Sequence, residues 1–399
     1  MATREKPRIL VAGAGIAGSL IVAGLAERDD VEVICVERDP AQGHLDVGTG
    51  LNIGPNAIKA LTLFMPEQAD RLIKHSLPWR DWTIELVDGT PLVAFDLLAL
   101  ADNPGIRIRW AELYALLRQP LGSRIRYDTE LVTAGIEGGR PYAVVKSPRN
   151  TERIEGLDLL IAGDGRYSVI RQTLFATDPT NYFGVCLYRV LFPVDDDCPI
   201  DDYGQWFNGP NRLLAFRVPG NFVYCAGSFP IADDGVIPVG MKTGAALRQG
   251  NTPASGVLSA KAAFLVEAIE ANSDRIHWAR LQDRTTRFAG PPGVLLAGDA
   301  AHPMVPTLGQ GATQSVEDAC VIVDEIRHAL DSGRTLADVP ARVAARREER
   351  VRFVVAFSSE ATDTMMAGAD PVGGSLKKGD PDFLARLERL YRDVGVPIS

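Results

Sequence analysis

The hydrophobic pattern of the first 40 residues predicts a strand, a helix and a second strand in close succession. The run Arg8–Ala12 is short and apolar, and a glycine-rich turn follows it at residues 13–18. Residues 19–27 then have a helical pattern, and residues 31–36 form a second apolar run that ends at Glu37. Two successive strands joined through a helix form a right-handed crossover, so this segment predicts a βαβ unit in a parallel sheet.

Later segments predict further strands of two kinds. Continuous apolar runs at residues 157–162 and 294–297 are typical of buried parallel strands, and each leads into a turn that contains Gly and Asp. Residues 83–97 form short alternating segments around an Asp-Gly turn. Between about residues 180 and 275, short aromatic-rich segments are separated by Asn/Gly/Pro turns, which favours antiparallel strands.

The C-terminal third predicts helices. Apolar residues recur at intervals of four and three from Ala312 to Leu330, which gives one apolar stripe along a helix. A basic segment at residues 341–357 predicts a long helix, and residues 383–391 predict a shorter one. We expect the arginines of the basic segment to lie on a solvated face and to pair with nearby glutamates of the same helix. These arginines are Arg342, Arg346, Arg347 and Arg350, and the glutamates are Glu348 and Glu349.

Composition narrows the class of protein. Of the 399 residues, 46% are apolar and 23% are charged, which is typical of globular proteins and excludes long disordered or fibrous segments. Acidic residues outnumber basic ones by 51 to 42, so the net charge of −9 argues against nucleic acid or an anionic membrane as partner. Five cysteines without a Cys-x-x-Cys pair argue against a disulfide framework and against a bound metal. With no signal peptide or membrane span visible, we expect a soluble, cytoplasmic protein that is a monomer or a homodimer.

The glycine-rich turn has the spacing of a dinucleotide-binding fingerprint. Gly13 permits the tight turn, Gly15 lets a diphosphate approach the backbone, and Gly18 allows close helix–strand packing. The helix N-terminus offers free N–H groups and the positive end of its dipole to the diphosphate. Glu37 can accept hydrogen bonds from both ribose hydroxyls and would repel a 2′-phosphate, which favours FAD or NAD over NADP. The predicted contacts in this segment are Gly13, Gly15, Ala17, Gly18, Glu37 and Arg38.

Two downstream segments identify a family. Residues 158–171 read DLLIAGDGRYSVIR, and residues 298–311 read GDAAHPMVPTLGQG. They resemble the "DG" and "GD" segments of flavoprotein monooxygenases of the p-hydroxybenzoate hydroxylase type. With the N-terminal fingerprint, the resemblance covers roughly residues 7–350.

The resemblance implies an α/β fold with a Rossmann-like FAD-binding domain, an inserted, mostly antiparallel β-sheet substrate domain and C-terminal helices. The expected boundaries are 1–75, 100–178 and 278–335 for the FAD-binding domain, 76–99 and 179–277 for the substrate domain, and 336–399 for the helical segment. FAD is expected to be held non-covalently, with NADH or NADPH as co-substrate. The further cofactor contacts implied are Asp164, Gly298, Asp299, Pro306, Gly309, Gly311 and Ala312.

The resemblance implies roles for individual residues of these segments. Asp299 is expected to accept a hydrogen bond from a ribityl hydroxyl, and Pro306 to lie beside the flavin face where oxygen reacts. The N-terminus of the helix after Gly309 is expected to face the flavin pyrimidine. The chain departs from the family at Trp110, where an arginine is common. Arg109, one residue earlier, either reaches the cofactor from there or has lost that contact.

The resemblance also implies the reaction. NAD(P)H reduces FAD, oxygen adds at flavin C4a, and the hydroperoxide delivers a hydroxyl group to a small phenolic or hydroxypyridine-type substrate. Ring opening or decarboxylation can follow in such enzymes. The alternatives are an FAD-dependent reductase or dehydrogenase on the same scaffold, or a non-catalytic FAD-binding protein.

The predicted substrate residues lie far apart in the sequence. Similarity to the ring-opening oxygenase for methylhydroxypyridine carboxylate implies a pocket lined by Arg189, Arg212 and Tyr224, which suits an acidic substrate. The alternative partners for these arginines are the nearby acidic residues at 195–197 and 201–202. Asn52 takes the place of a histidine found in hydroxynicotinate hydroxylases and is expected to hydrogen-bond a substrate oxygen. His44 is a further candidate near the flavin edge.

Overall fold

The structure is a computed structural model that describes residues 6–43, 49–176, 178–232 and 235–398. The strands are β1 (Arg8–Ala12), β2 (Glu32–Val36), β3 (Gly50–Ile53), β4 (Leu77–Trp79), β5 (Asp81–Leu86), β6 (Pro91–Asp96), β7 (Gly105–Arg109), β8 (Ile125–Arg126), β9 (Glu130–Glu137), β10 (Arg140–Lys146), β11 (Thr151–Ile154), β12 (Leu159–Ala162), β13 (Asn181–Pro193), β14 (Tyr203–Asn208), β15 (Asn211–Val218), β16 (Phe222–Pro230), β17 (His277–Asp283) and β18 (Val294–Leu296). The α-helices are α1 (Ile16–Leu25), α2 (Pro55–Phe64), α3 (Pro66–Lys74), α4 (Leu97–Ala101), α5 (Trp110–Arg118), α6 (Val169–Leu174), α7 (Gly244–Asn251), α8 (Ala260–Ala271), α9 (Gln310–Asp331), α10 (Val339–Glu360), α11 (Pro371–Lys377) and α12 (Pro381–Arg392).

A parallel sheet in the order β18-β12-β1-β2-β8 forms the nucleotide-binding half. Residues 9–12 of β1 are completely buried, as expected for a strand of a parallel sheet with helices on both faces. The sequence-predicted βαβ unit is β1-α1-β2 and is confirmed. Ala12 lies beside Ala162, and Ala162 beside Leu296, so the chain leaves β1, β12 and β18 at the same edge. Ligands of open α/β sheets bind at this carboxyl edge.

A second sheet of seven strands has the order β17-β13-β16-β15-β14-β5-β6 and is antiparallel except where β5 meets β14. This confirms an α/β fold with an inserted, mostly antiparallel sheet. The sequence analysis predicted only strands here, however, and missed α7 and α8. The alanine-rich helix α8 buries Leu265, Val266 and Ile269 in a cluster on one face of the sheet, which we call the back face.

The opposite face of this sheet, the front face, packs against the C-terminal segment. Phe357, Met365, Leu390 and Tyr391 are buried in one apolar cluster with residues of β5, β6, β14 and β15. The two longest helices, α9 and α10, have 22 residues each, and both carry many charged side chains. No helix that the described residues form is long and apolar enough to cross a membrane.

The basic helix α10 does not present its arginines to solvent as predicted. Arg347 is buried and donates hydrogen bonds to Asp318 (2.9 Å) and Glu317 (2.7 Å) of α9. Arg350 makes two further hydrogen bonds to Glu317, and Arg346 pairs with Asp324 and Glu325. The expected pairing of these arginines with glutamates of the same helix was therefore wrong. Helix α10 packs against a row of acidic residues on α9, and these residues are the partners of the arginines.

The carboxylates of this network stay ionised inside the protein. Burial alone would raise the pKa of Glu317, but the charges of Arg350 and Arg347 outweigh it and lower the pKa to about 2. Burial also opposes ionisation of Asp318, whose pKa is nevertheless lowered by His302 and Arg347. His302 of the segment 298–311 is completely buried, and its Nε2 lies 2.6 Å from Asp318.

We expect Arg347→Met to destabilise the protein by about 3–5 kcal/mol, because it leaves two buried carboxylates short of a cation. Urea unfolding followed by circular dichroism measures this change. Arg352→Met in the same helix is the control, because Arg352 is exposed and pairs only with Glu348, a contact worth less than about 1 kcal/mol. Equal unfolding midpoints for the two variants would contradict the assignment of the network.

Candidate functional site

The glycine turn after β1 has the geometry that its sequence predicts. Gly13 has φ +92°, and a Cβ there would lie 2.4 Å from the carbonyl oxygen of Gly163. A Cβ at Gly18 would lie 2.0 Å from the carbonyl oxygen of Gly13, so both positions require glycine. At Gly15, the nearest atom to an added Cβ is the hydroxyl of Tyr114 at 3.6 Å, which leaves ordinary space there. No side chain of the described residues caps the N-terminus of α1 at Gly15, so its amides remain available to an anion.

Glu37 is buried beside this turn, and its carboxylate is held in position. Its Oε2 accepts hydrogen bonds from the backbone N–H of Ala14 (2.8 Å) and from Arg118 (3.3 Å), and its Oε1 accepts one from Asp39 N–H (3.0 Å). Arg118 also donates to the carbonyl of Ala14 at 2.8 Å and lies over the ring of Tyr114. Sequence reasoning missed Arg118 as a positioning residue, because 81 residues separate it from Glu37 and no local pattern links them.

The two other arginines predicted near the cofactor have different surroundings. The side chain of Arg38 is 72% exposed and borders an open cleft of about 380 Å³, which Asp128 and Lys146 also line. Arg109 pairs with Glu112, and its guanidinium lies 4.8 Å from the ring centre of Phe222 in β16. These contacts leave the buried Nε of Arg109 without a hydrogen-bond partner among the described residues. Both alternatives for Arg109, a cofactor contact made from its shifted position and a lost contact, remain predictions.

The DG and GD segments meet at the carboxyl edge of the parallel sheet. Asp164 accepts hydrogen bonds at Oδ2 from the N-terminus of α6, while its buried Oδ1 has no partner among the described residues. Burial raises the pKa of Asp164. Gly298 has φ +58°, and a Cβ there would lie 2.8 Å from Ser315 Oγ of α9 and 3.7 Å from Ala17 of α1. The N-terminal turns of α1 and α9 therefore converge at the end of β18.

Asp299 lies at this convergence with a partly exposed carboxylate. Its Oδ2 is 3.8 Å from Arg166 of the DG segment, and its Oδ1 would be 3.8 Å from a Cβ on Gly311. Both contacts are longer than a hydrogen bond, so the carboxylate can still accept one from a ligand. Arg166 and Asp299, which are more than 130 residues apart in the sequence, thus lie together at the carboxyl edge of the parallel sheet. We call the region of this edge between Glu37 and Asp299 the cofactor groove.

The N-terminus of α9 has no side-chain cap from the part of the chain that the structure describes, and Gly309 precedes it with φ +65°. The amide of Asn52 lies against this glycine, because a Cβ on Gly309 would be 2.5 Å from its Nδ2. That Nδ2 is buried without a hydrogen-bond partner among the described residues. Thr313 joins the two segments, since it accepts from Gly54 N–H at 2.9 Å and donates to the carbonyl of Gly309 at 3.0 Å. Asn52 and the free amides of α9 therefore lie close together.

Pro306, Ala312 and His44 are the remaining predicted residues of this region. Pro306 is exposed, and its carbonyl accepts a hydrogen bond from Gly309 N–H at 3.0 Å. Ala312 is half-buried in the first turn of α9. His44 lies outside the described residues. The described part of the chain contains no group of three or more His, Cys, Asp or Glu side chains that could hold a metal ion.

Strand register brings the three predicted substrate residues to one face of the seven-stranded sheet. Arg212 is paired with Ser228, and Arg189 with Ala226. Tyr224 is two residues before Ala226 in β16, and side chains two residues apart share a face. Arg212 is only 5% exposed, whereas Arg189 is exposed near the edge of the sheet. This shared face is the front face.

The front face approaches the nucleotide-binding half through β3. A Cβ on Gly50 would lie 2.5 Å from Cβ of Tyr224, so the backbone of β3 contacts that tyrosine directly. Asn52 is two residues further along the same strand. Asn52, the N-terminus of α9 and Tyr224 thus lie around one region between the two sheets, although their segments are remote in the sequence.

Arg212 is a buried cation without an anion. Among the described residues it has no ion pair and no hydrogen-bond partner, and its buried Nε is unsatisfied. Burial lowers the pKa of Arg212, and the groups that oppose this shift are the phenols of Tyr203, Tyr224 and Tyr188.

The acidic residues considered as alternative partners have other contacts. Asp201 and Asp202 lie 3.6 and 3.4 Å from the buried Arg107, and the carbonyl of Asp195 accepts a hydrogen bond from Arg217. The front face therefore leaves the guanidinium of Arg212 available to an anionic ligand.

The groove fits FAD, as judged from the residues themselves. Glu37 lies at one end with carboxylate oxygens suited to a ribose, and Gly15 leaves space at the free amides of α1 for a diphosphate. Asp164 has an unpartnered buried oxygen, and Asp299 has a partly exposed carboxylate. At the other end, Asn52 and the uncapped α9 offer N–H donors to a polar ring edge. The donors and acceptors thus follow the order of groups along a flavin dinucleotide.

Comparison with known proteins agrees with this reading. Residues 225–358 match a family described as an FAD binding domain. The chain is 30% identical over 368 residues to the 3-amino-4-hydroxybenzoate 2-monooxygenase PtnB3 of Streptomyces platensis, covering 88% of this chain and 85% of that protein. It is 27% identical over 337 residues to the 6-hydroxynicotinate 3-monooxygenase of Bordetella bronchiseptica, covering 79% of this chain and 82% of that one.

The fold also matches solved structures. The crystal structure of Klebsiella pneumoniae HpxO complexed with FAD and uric acid superposes with a TM-score of 0.79 and covers 96% of both chains. Sequence identity in that pair is 20%, so the likeness concerns the fold. The arrangement of a parallel nucleotide-binding sheet and an inserted front-face sheet is therefore shared with a protein crystallised with FAD.

We expect Glu37→Lys to weaken FAD binding at least tenfold, because it replaces an acceptor of ribose hydroxyls with a donor-only cation next to Arg118. Fluorescence titration of the FAD-depleted protein with FAD measures the affinity. Glu27→Lys is the control, since it makes the same charge change at an exposed position near the other end of α1. Equal FAD affinity of the Glu37→Lys variant and the control would remove the basis for placing the ribose at Glu37.

Proposed function

The chain belongs to the FAD-dependent aromatic monooxygenases, and we propose that it hydroxylates a small acidic phenol or hydroxypyridine with NAD(P)H and O2. The observation that supports an acidic substrate is the guanidinium of Arg212, which is buried on the front face without a carboxylate partner among the described residues. An unpaired buried charge is costly, so an anionic ligand is the natural partner. The 3-amino-4-hydroxybenzoate and 6-hydroxynicotinate named for two relatives are both aromatic carboxylates with a ring hydroxyl.

Bound FAD, once reduced by NAD(P)H, supplies the oxygen-transfer chemistry to an electron-rich ring. The chain contributes binding and electrostatic stabilisation. We propose that Glu37 accepts from the adenosine ribose, that the α1 amides after Gly15 hold the diphosphate, and that Asp299 accepts from the ribityl chain. The positive end of the α9 dipole would stabilise negative charge on the flavin pyrimidine.

The substrate would lie between the front face and this cofactor groove. In the proposed arrangement, Arg212 binds the carboxylate through paired N–H donors, which lysine cannot provide. Tyr224 stays protonated at neutral pH because burial raises the pKa of its phenol, although the charges of Arg189 and Arg212 oppose that shift. It can therefore donate a hydrogen bond to a ring oxygen. Asn52 offers its unpartnered Nδ2 from the cofactor side.

The proposed reaction also requires that water be excluded from the substrate site. The C-terminal segment covers the front face with Phe357, Met365, Leu390 and Tyr391, all of them buried. Such a closed, apolar cover strengthens the attraction between Arg212 and an anionic ring, because few waters screen the charges. A cation held there also favours the ionised, more electron-rich form of a phenol.

The cellular location, the oligomeric state and the absence of other partners are also proposals. We propose a cytoplasmic enzyme, where reduced nicotinamide is available, acting as a monomer or homodimer. We propose no nucleic-acid or membrane partner, because the net charge is −9. Oxidation rates measured with NADH and with NADPH decide the choice of coenzyme, and product analysis decides whether ring opening or decarboxylation follows hydroxylation.

We expect aromatic acids to stimulate NAD(P)H oxidation and oxygen uptake by the purified yellow protein. The test compares 3-amino-4-hydroxybenzoate and 6-hydroxynicotinate with 2-aminophenol and 2-hydroxypyridine, which lack the carboxylate. Hydroxylated product, identified by mass spectrometry, should form only from the acids. Equal turnover of the compounds without a carboxylate would exclude an acidic substrate, and NAD(P)H oxidation without oxygen uptake would favour a reductase.

We expect Arg212→Lys to raise KM for the best acid at least tenfold and to lower the yield of product per NAD(P)H, because lysine keeps the charge but loses the planar pair of donors. Steady-state kinetics with product quantification measures both effects. Arg217→Lys is the matched control, because Arg217 lies in the same strand and points to the back face. Unchanged KM and coupling in Arg212→Ala would show that the substrate binds elsewhere.

A further inference from the structure

The C-terminal segment contributes a second buried cation to the cover of the front face. Helix α11 contacts β6, and a Cβ on Gly379, two residues beyond the helix, would lie 3.6 Å from Val93 of that strand. Lys378 stands between α11 and Gly379 and is only 5% exposed. A fully buried lysine is rare unless it is paired, so its partners decide its role.

The ammonium group of Lys378 makes fewer hydrogen bonds than it can donate. Its Nζ lies 3.5 Å from Thr364 Oγ1, which is a long hydrogen bond for a group that can donate three. The carboxylate of Asp363 is 3.9 Å away, beyond hydrogen-bond distance, and that side chain is 58% exposed. Lys378 therefore lacks the close, buried carboxylate that Arg347 has in the network between α9 and α10.

Lys378 and Arg212 influence one another electrostatically. Burial lowers the pKa of Lys378 to about 8, the carboxylate of Asp363 opposes this shift, and the guanidinium of Arg212 adds to it. The turn Asp363–Met365, which contains the hydrogen-bond partner of Lys378, packs against β16, and Ser228 of β16 is paired with Arg212. The two cations therefore lie at the same interface, one on the sheet and one on its cover. Two further buried polar atoms without partners among the described residues belong to the front face and its cover, namely Ser228 Oγ in β16 and Tyr391 Oη in α12.

A purely structural role does not account for this arrangement. Lysine at the end of a helix often stabilises the last carbonyls, but the one hydrogen bond of the Lys378 ammonium goes to the side chain of Thr364. Two buried like charges at one interface repel each other and destabilise the ligand-free protein. Such a cost is typical of a binding site, where the ligand supplies the missing charge.

We propose that Lys378 is a specificity-determining residue, and that Arg212 and Lys378 together select an aromatic substrate with two acidic groups over one with a single acidic group. The inference rests on the proposed function, because it assumes that Arg212 binds the first carboxylate. Lys378 then binds the second acidic substituent from the opposite side. The substrate class is narrowed to hydroxylated aromatic or pyridine dianions.

The test measures dissociation constants of isophthalate and benzoate for the FAD-bound enzyme at pH 7, from their perturbation of the flavin absorbance. The enzyme should bind isophthalate at least tenfold more tightly than benzoate. Lys378→Met should reduce this preference to less than threefold and change benzoate binding little. Lys377→Met is the matched control, because the neighbouring Lys377 is exposed, and it should keep the full preference.

The pH dependence separates a bound charge from a packing effect. In the unaltered enzyme, the preference for isophthalate should decline as pH rises through 8, because Lys378 loses its proton. Asp363 and Arg212 are the charged groups that face Lys378, and burial raises the pKa of Tyr203, which belongs to the front-face cluster, to about 12. Lys378→Met should show no such decline. Its melting temperature should equal or exceed that of the unaltered enzyme, since an under-satisfied charge is removed.

The outcomes distinguish this inference from the proposed function. If Lys378→Met keeps the preference while Arg212→Met weakens both acids, the role of Lys378 is wrong and the proposed function stands. If Arg212→Met leaves both acids unaffected, or neither acid binds the unaltered enzyme, the proposed function fails. Lys378→Gln provides the same comparison with a polar side chain should Lys378→Met not fold.

Discussion

The buried ion network between α9 and α10 is the interaction on which the cofactor groove depends. Glu317 and Asp318 are ionised in the interior because Arg347 and Arg350 face them. Asp318 also accepts from Gly298 N–H at 2.9 Å, and Glu317 accepts from Asn56 of α2 at 2.6 Å. One set of charges therefore holds the GD turn, the helix whose N-terminus faces the groove, and the first turn of α2.

The buried charges of the protein fall into two groups, those with close partners of opposite charge and those without. In the network, each carboxylate has close guanidinium partners, so desolvation is offset by strong, short hydrogen bonds. On the front face, Arg212 is buried without a partner among the described residues. Lys378 in the cover is also buried, and it has only a long hydrogen bond to Thr364 and a more distant, exposed carboxylate. This difference supports our proposal that a ligand supplies the missing charge on the front face.

The site is assembled from short pieces of several elements. Strand periodicity places Arg212, Arg189 and Tyr224 on one face, and the close approach of Gly50 brings Tyr224 to the cofactor side. The cofactor side is itself a meeting of the carboxyl ends of β1, β12 and β18. Because each piece sits at a strand end or on a regular strand, its side chains are held by the scaffold rather than by long loops.

What the sequence by itself determined are the features that depend on neighbours in the chain. The turn at Gly13, the βαβ unit and the stripe of α9 follow from steric and periodic constraints within about 20 residues, and the two downstream motifs indicated the family. Tertiary structure alone decided the contacts that depend on which surfaces exclude water together. Arg118 reaches Glu37 across 81 residues, and α10 turns its arginines inward only because α9 offers acids there. Lys378 resembles its exposed neighbour Lys377 in sequence, and only the packing of α11 on the sheet buries one and leaves the other in solvent.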